Sequence, residues 1–286
     1  MTIFITGATG KTGSRLATLL YTAGQPIVVG SRSGNTPSQL MGAPNVHPVK
    51  FDWLEASTYA RPFEAADAPI DRMYIVAPDV VDVLSPTRAF IDYAVTQGVK
   101  RFVLLSGTTF PKGSFAMGLI HEYLEKIGVD FYVLRPTWFI ENFSTICLPS
   151  ITHDGNIKTT SEDGRVYFVS VDDIAEAAKN ALLSDTCPNT DYVVLGPDLC
   201  SYAEAAEIIS SVIGRRIVHK NLTEEEGIAF WMQHTSEEMA RALVAMEALI
   251  AGGEEEACDK EERKIVGQVR LRDWVVANKG LFAKEA

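Results

Sequence analysis

The stretch "ITGATGKTGS", Ile5 to Ser14, constrains this chain more than any other. Gly7, Gly10 and Gly13 stand at G-x-x-G-x-x-G spacing between an apolar run that reads as a strand and a run with helical periodicity. That placement is what gives a glycine motif physical meaning. Gly7 allows a tight turn, Gly10 lets backbone approach a pyrophosphate, and Gly13 permits close packing, with the helix N-terminus facing the anion. Thr9, Lys11 and Thr12 complete the loop and first turn and join the glycines as candidate cofactor contacts. The bland alternative is a turn with no ligand.

A dinucleotide loop needs a parallel sheet, and the strands for one follow. "TIFITG", "PIVVGS", "HPVKFDW", "RMYIVAP", "RFVLLSG" and "DFYVLRP" recur with helix-length segments between most of them, an alternation that favours a parallel sheet covered on both faces. In the first helical segment Leu16, Leu19 and Leu20 repeat at helical spacing, and Gly24 closes it. After Pro136 the pattern is less regular. "SVDDIAEAAKNALLSD" and "SYAEAAEIISSVIG" read as helices and "DYVVLG" as a strand. "TEEEGIAFWMQHTSEEMARALVAMEALIAGG" reads as one or two amphipathic helices. The expected class is α/β: a Rossmann-type parallel sheet with helices on both faces and a smaller C-terminal substrate-binding cap. Residues 1–135 are expected to form the nucleotide-binding region and 136–286 a mixed α/β substrate-binding and cap region, continuous with the first.

Composition removes several classes. With 47% hydrophobic and 22% charged residues the chain has the mixture of a soluble globular protein. A net charge of -11 opposes a phosphate backbone, so nucleic-acid binding is disfavoured. The start lacks a basic n-region and no segment is apolar over a membrane-spanning length, so the expectation is a cytoplasmic protein without a membrane anchor. Cys147, Cys187, Cys200 and Cys258 are far apart and form no C-x-x-C pair, so neither a metal site nor a disulfide framework is expected. The "EEE" runs at Glu224 to Glu226 and Glu254 to Glu256 read as solvated helix ends or loops.

The end of the second strand separates two nicotinamide cofactors. An acidic residue there binds the ribose hydroxyls of NAD, whereas an arginine accommodates the additional phosphate of NADP. Here the segment is "VVGSRSG", with no Asp or Glu, and Ser31, Arg32 and Ser33 offer a guanidinium flanked by hydroxyls. The cofactor read from these residues is NADP(H). Asp52 in "KFDW" is a candidate acceptor for the adenine amino group, with Trp53 beside it; a helix cap before "LEASTYA" explains Asp52 about equally well. Ala77 and Pro78 follow the fourth strand, and Ser106 and Gly107 follow the fifth, as further backbone contacts.

"ITGATGKTG", "SRSG", "HEYLEKIGVDFYVLRPTWFIENF" and "VYFVSVDDIAEAAKNALL" together resemble the NmrA-like branch of atypical short-chain dehydrogenases over about the first two thirds of the chain. "FDW" and "LRPTWFIENF" are similar to the reductases of fungal ergot-alkaloid pathways. The resemblance implies a Y-x-x-x-K pair after the fifth strand, tyrosine exchanging a proton with substrate and lysine lowering its pKa. Alignment on "RP" puts Phe115 and Leu119 at those positions, and neither transfers a proton. Carbonyl reduction makes an alkoxide that needs an acid, whereas hydride addition to an iminium cation gives a neutral amine directly. The lost pair and the resemblance therefore both point to C=N reduction.

Thr108, Glu122 and Tyr123 are the candidates for residual acid–base assistance, Glu122 and Tyr123 lying three and four residues beyond Leu119. His121 reads as a solvent-facing helix residue. Trp138, Phe139 and Phe143 give apolar surface suited to an aromatic polycycle, Glu141 and Asn142 can pair with an amine, and Trp231 and His234 can close the pocket. At least one of these aromatics is expected in the core. Three functions fit: an NADPH-dependent reductase of an iminium or C=N intermediate of indole-alkaloid biosynthesis, a cyclase or isomerase using bound NADP(H) without net turnover, and a regulator that senses NADP(H).

Overall fold

In the computed structural model, residues 1–283 are described, and every strand read from the first half of the chain is present. The first half runs β1 (Thr2–Ile5), α1 (Lys11–Thr22), β2 (Ile27–Ser31), β3 (Val46–Lys50), α2 (Arg61–Ala65), β4 (Ile70–Ile75), α3 (Leu84–Thr96), β5 (Arg101–Leu105), α4 (Met117–Ile127) and β6 (Asp130–Pro136). There follow β7 (Asn156–Thr159), β8 (Arg165–Tyr167), α5 (Val171–Leu183), β9 (Thr190–Leu195), β10 (Leu199–Ser201) and α6 (Tyr202–Ile213). The chain continues through β11 (Val218–Asn221), α7 (Glu224–Trp231), α8 (Glu237–Gly252), β12 (Lys264–Val266) and α9 (Leu271–Ala277).

Two compact units divide the chain. The first is residues 1–135 with Val171–Tyr192, and the second is Pro136–Ser170 with residues 193 onward. A sequence division at 135 leaves Val171–Tyr192 on the wrong side, and packing explains why. Helix α5 buries Ile174, Ala175, Ala178 and Leu182 and lies against α1, where Arg15 Nε meets Asp172 Oδ1 at 3.0 Å. Its apolar stripe has its partner in the first unit.

Within that unit β6, β5, β4, β1, β2 and β3 are neighbours in that order, all parallel. β1 ("TIFI") and β2 ("IVVGS") are buried at every residue, as strands covered on both faces must be. β1 sits between β2 and β4, so the strand order reverses there, and the carboxyl ends of β1 and β4 open a crevice. Beneath the crevice is an aromatic core in which Phe51 packs against Phe90 (4.6 Å), Trp53 (5.1 Å) and Phe4 (5.3 Å).

The second unit pairs β7 with β11 in parallel, β8 with β10 antiparallel, and β12 with the latter half of β9. Its core holds Phe143, Phe168, Tyr202 and Trp274. The final helical stretch divides into α7 and α8, each started by an N-cap hydroxyl, Thr223 and Ser236. Glu226 completes a capping box on α7, so the first acidic run serves a helix N-terminus. The second run departs from expectation, since Glu255 is 2% exposed. Among the described residues, which include all four cysteines, there is no disulfide. Among the described residues no helix is long and apolar enough to cross a membrane.

Candidate active site

The crevice at the carboxyl ends of β1 to β4 is a slot of about 410 Å³. Gly7, Thr9 and Gly10 line it from the first loop, Ser31 and Arg32 from the second strand end, Asp52, Trp53 and Leu54 from the third, and Val76, Ala77 and Pro78 from the fourth. Gly7 has φ +59, and its carbonyl accepts from Gly10 N at 2.9 Å, which closes the turn. A Cβ on Gly13 would lie 2.3 Å from that same carbonyl oxygen. Helix α1 can therefore begin directly above the turn only because position 13 has no side chain, and its N-cap residue, Gly10, lines the slot. Lys11 and Thr12 start this helix and lie outside the slot lining, Thr12 being 3% exposed.

Arg32 is exposed and forms no ion pair among the described residues. Ser31 is buried, and its hydroxyl donates to Asn35 O at 3.1 Å, which shapes the loop that carries Arg32. Ser33 is exposed on that loop and lies outside the slot lining. Asp52 is not a helix cap: the turn Ala56–Thr58 starts at Glu55, without a side-chain cap bond. Oδ1 accepts from Leu54 N at 2.9 Å, a local turn bond, while the residue still lines the slot. The Trp53 indole donates to Val76 O at 3.1 Å and so fixes one wall against the loop after β4.

Ser106, Gly107 and Thr108 follow β5, one strand further along. Ser106 is 8% exposed, and its Oγ is buried without a hydrogen-bond partner among the described residues. Arg135 at the end of β6 uses its two terminal nitrogens differently. Nη1 meets Asp191 Oδ2 at 2.8 Å, and Nη2 donates to the Thr108 carbonyl at 2.8 Å. "LRP" contains this arginine at the end of a buried strand, and a charge in that position was the available signal; its partners were not legible.

Helix α4 disposes of two sequence expectations. Tyr123 turns toward α3, where its hydroxyl donates to Asp92 and the Arg88 guanidinium stands 5.2 Å over its ring. Burial, then Asp92, raises its pKa, so the phenol is held protonated in a structural contact. Glu122 is exposed and faces Gly113 of the preceding loop, its Oε1 3.1 Å from where a Cβ there would stand. His121 is not solvent-facing. It is 3% exposed and edge-on to Phe131 at 5.5 Å, because the apolar stripe of α4 includes its position; burial lowers its pKa, against the opposing effect of Asp191. Phe115 lies before α4 and is 56% exposed, and Leu119 is half-buried.

In the second unit, backbone bonds between Val169 and residues 138 and 140 pin the "PTWFIENF" segment (Val169 N to Trp138 O, 3.0 Å; Ile140 N to Val169 O, 2.9 Å). Trp138, Phe139, Glu141 and Asn142 are half-buried, and Glu141 Oε1 accepts from Ser170 Oγ at 3.2 Å. Phe143 is core: it is 1% exposed and packs on Phe168 at 5.1 Å. Trp231 is 6% exposed and shares a cluster with Trp138. His234 is exposed, 5.6 Å from the Phe230 ring.

Residues 1–270 match the NmrA-like family. The chain belongs to that family. This NmrA-like protein is 38% identical over 295 residues to agroclavine dehydrogenase of Claviceps fusiformis, covering 99% of both chains. It is 38% identical to festuclavine synthase II of Penicillium roqueforti, over 93% of this chain and 94% of the relative. Among solved structures it is similar to the Citrobacter sp. triphenylmethane reductase complexed with NADP(H), with a TM-score of 0.74, 23% identity and coverage of 97% and 99%. The structure puts Leu119 on α4 and Phe115 on the exposed loop before it.

Proposed function

We propose that this NmrA-like protein is an NADPH-dependent oxidoreductase of indole-alkaloid biosynthesis that reduces an iminium or conjugated C=N intermediate. The observation that supports it is that the proton donor expected near Leu119 is not placed for transfer: the Tyr123 hydroxyl is committed to Asp92, and Phe115 and Leu119 are apolar. Relatives named for agroclavine and festuclavine, 38% identical over nearly the full chain, support the pathway class.

The cradle fits NADPH on its own chemistry. Backbone amides of the Gly7–Gly10 turn and the α1 N-terminus would hold the pyrophosphate, Arg32 would take the additional phosphate, and Asp52 and Trp53 would border the adenine. Bound there, NADPH supplies a hydride. The chain's own residues orient and enclose the substrate, and no side chain has to deliver a proton, because a C=N⁺ carbon that gains hydride becomes a neutral amine. Aromatic side chains of the second unit, Trp138 foremost, offer the flat apolar and cation–π surface that a cationic indole polycycle needs.

Turnover with NADPH deuterated at the transferable position tests this reading, with cofactor consumption and product mass recorded together. The expected result is stoichiometric consumption with deuterium retained in the amine. Product formed without net consumption would assign a cyclase or isomerase instead, and tight nucleotide binding with no product from any indole iminium would assign a regulator. The phosphate assignment has its own test. Arg32→Ala should cost about 2 kcal/mol of NADPH affinity, roughly 30-fold, and leave NADH binding unchanged; equal losses for the two nucleotides would remove Arg32 from the phosphate site.

A further inference from the structure

Glu247 is an acidic residue in the middle of an apolar helix segment, "VAMEALI", and it is 1% exposed. Burying a carboxylate is costly unless donors surround it. Three do: Thr160 N and Thr160 Oγ1 donate to Oε2 at 2.7 Å each, and the Trp231 indole N–H donates to Oε1 at 3.2 Å. The same threonine braces α7, since a Cβ on Gly227 would come within 2.4 Å of Thr160 Cγ2. The end of β7, helix α7 and helix α8 therefore meet at one carboxyl group. A leucine would fill this helix position without desolvating a charge, so what the glutamate adds is direction: it fixes the plane of one indole ring. That ring packs in a single cluster with Trp138, Ile146 and Phe230, all partly exposed.

We infer that Glu247 is a positioning residue whose buried carboxylate orients Trp231 against the Trp138 surface and thereby sets which planar ring system the second unit accepts. The inference rests on the reading that this aromatic surface receives the substrate. It places no catalytic duty on Glu247. With glutamine at this position one acceptor oxygen is left for the Thr160 and Trp231 donors, and the amide NH2 must face either the Thr160 N–H or the indole N–H, so the side chain no longer fixes the indole direction.

The test compares wild type, Glu247→Gln and Trp231→Phe, all as full chains. Isothermal titration measures binding of a tetracyclic ergoline amine, tryptamine and NADPH, and ¹⁵N-edited NMR follows the Trp231 Nε1–H resonance. Glu247→Gln should shift that resonance and weaken the tetracyclic amine about tenfold relative to tryptamine, with NADPH affinity unchanged because the cradle lies in the first unit. Trp231→Phe keeps the carboxylate and its Thr160 bonds, so it supplies a folded comparison if Glu247→Gln fails to fold, and it should show the same loss of discrimination. Variants that discriminate between the two amines as well as wild type does would overturn the inference. So would a wild-type protein that binds neither amine. Wild type that binds both but reduces neither corresponding iminium would overturn the reductase reading and leave the role of Glu247 standing.

Discussion

Gly13→Ala eliminates measurable NADPH binding. The new methyl carbon would stand 2.3 Å from the Gly7 carbonyl oxygen, 2.8 Å from its carbon and 3.0 Å from Ala8 Cα. All three are backbone atoms, so no rotamer relieves the contact. Gly7 O is also held by Gly10 N at 2.9 Å, so moving it opens the turn that forms the cradle. Overpacking of this kind costs about 1–3 kcal/mol of stability, a fall of roughly 2–10 °C in Tm for a protein of this size. The effect on binding is larger, because the amides that face the pyrophosphate lose their common direction. NADPH fluorescence titration alongside thermal unfolding checks both; wild-type affinity in Gly13→Ala would mean that the loop does not hold the nucleotide.

The second large effect is expected at Arg135. Its guanidinium is 13% exposed and its partner Asp191 is 15% exposed, so the pair is shielded from solvent. Arg135→Ala removes the guanidinium bonds to Asp191 and to the Thr108 carbonyl, and truncating one member of such a pair costs about 3–5 kcal/mol. Because Thr108 sits in the loop after β5, the variant should also lose activity out of proportion to NADPH affinity. Burial pushes the Asp191 carboxyl up, but the Arg135 hydrogen bond and charge outweigh it and hold the carboxyl below its ordinary value. A folded-state pKa below the unfolded one adds stability above the unfolded value, near 3.8, and that contribution is lost as pH falls through the folded value. The stability gap between wild type and Arg135→Ala should therefore be widest at neutral pH and narrow toward acid. Urea unfolding at pH 7 and at a pH well below 3.8 measures it; a gap unchanged between the two would show that the ion pair does not carry the effect. Replacing both residues by leucine should recover much of the loss, since no unpaired charge is then buried.

Much of the first unit was legible because its signals are local. Strands buried on both faces must be continuous apolar runs, and a helix that starts above a turn must have glycine where backbone meets backbone. For the same reason the strand-end residues Arg32, Asp52 and Ala77 could be placed by counting from those runs. The helix splits in the C-terminal stretch were legible only in part, since periodicity marks α7 and α8 but the caps at Thr223 and Ser236 depend on which hydroxyl actually receives an amide.

Side-chain direction across elements was not legible. Tyr123 and His121 are two residues apart on α4, and sequence reasoning assigned the first to chemistry and the second to solvent. Their roles depend on what α3 and β6 present to that helix: Asp92 and Arg88 for Tyr123, Phe131 for His121. Phe143 belongs to the core for the same kind of reason, since Phe168 and Tyr202 close around it.

By itself, the sequence determined the parallel α/β sheet, the position of the nucleotide loop and the absence of a tyrosine–lysine pair, because each of these is written in residues close together along the chain. Only the tertiary structure decided that Val171–Tyr192 belongs to the first unit, that Arg135 holds the Thr108 loop, and that Glu247 directs Trp231. The partners in those cases, from Trp231 and Glu247 to Arg15 and Asp172, are 16 to 157 residues apart: separations at which only the folded packing, and no local periodicity, brings the two together.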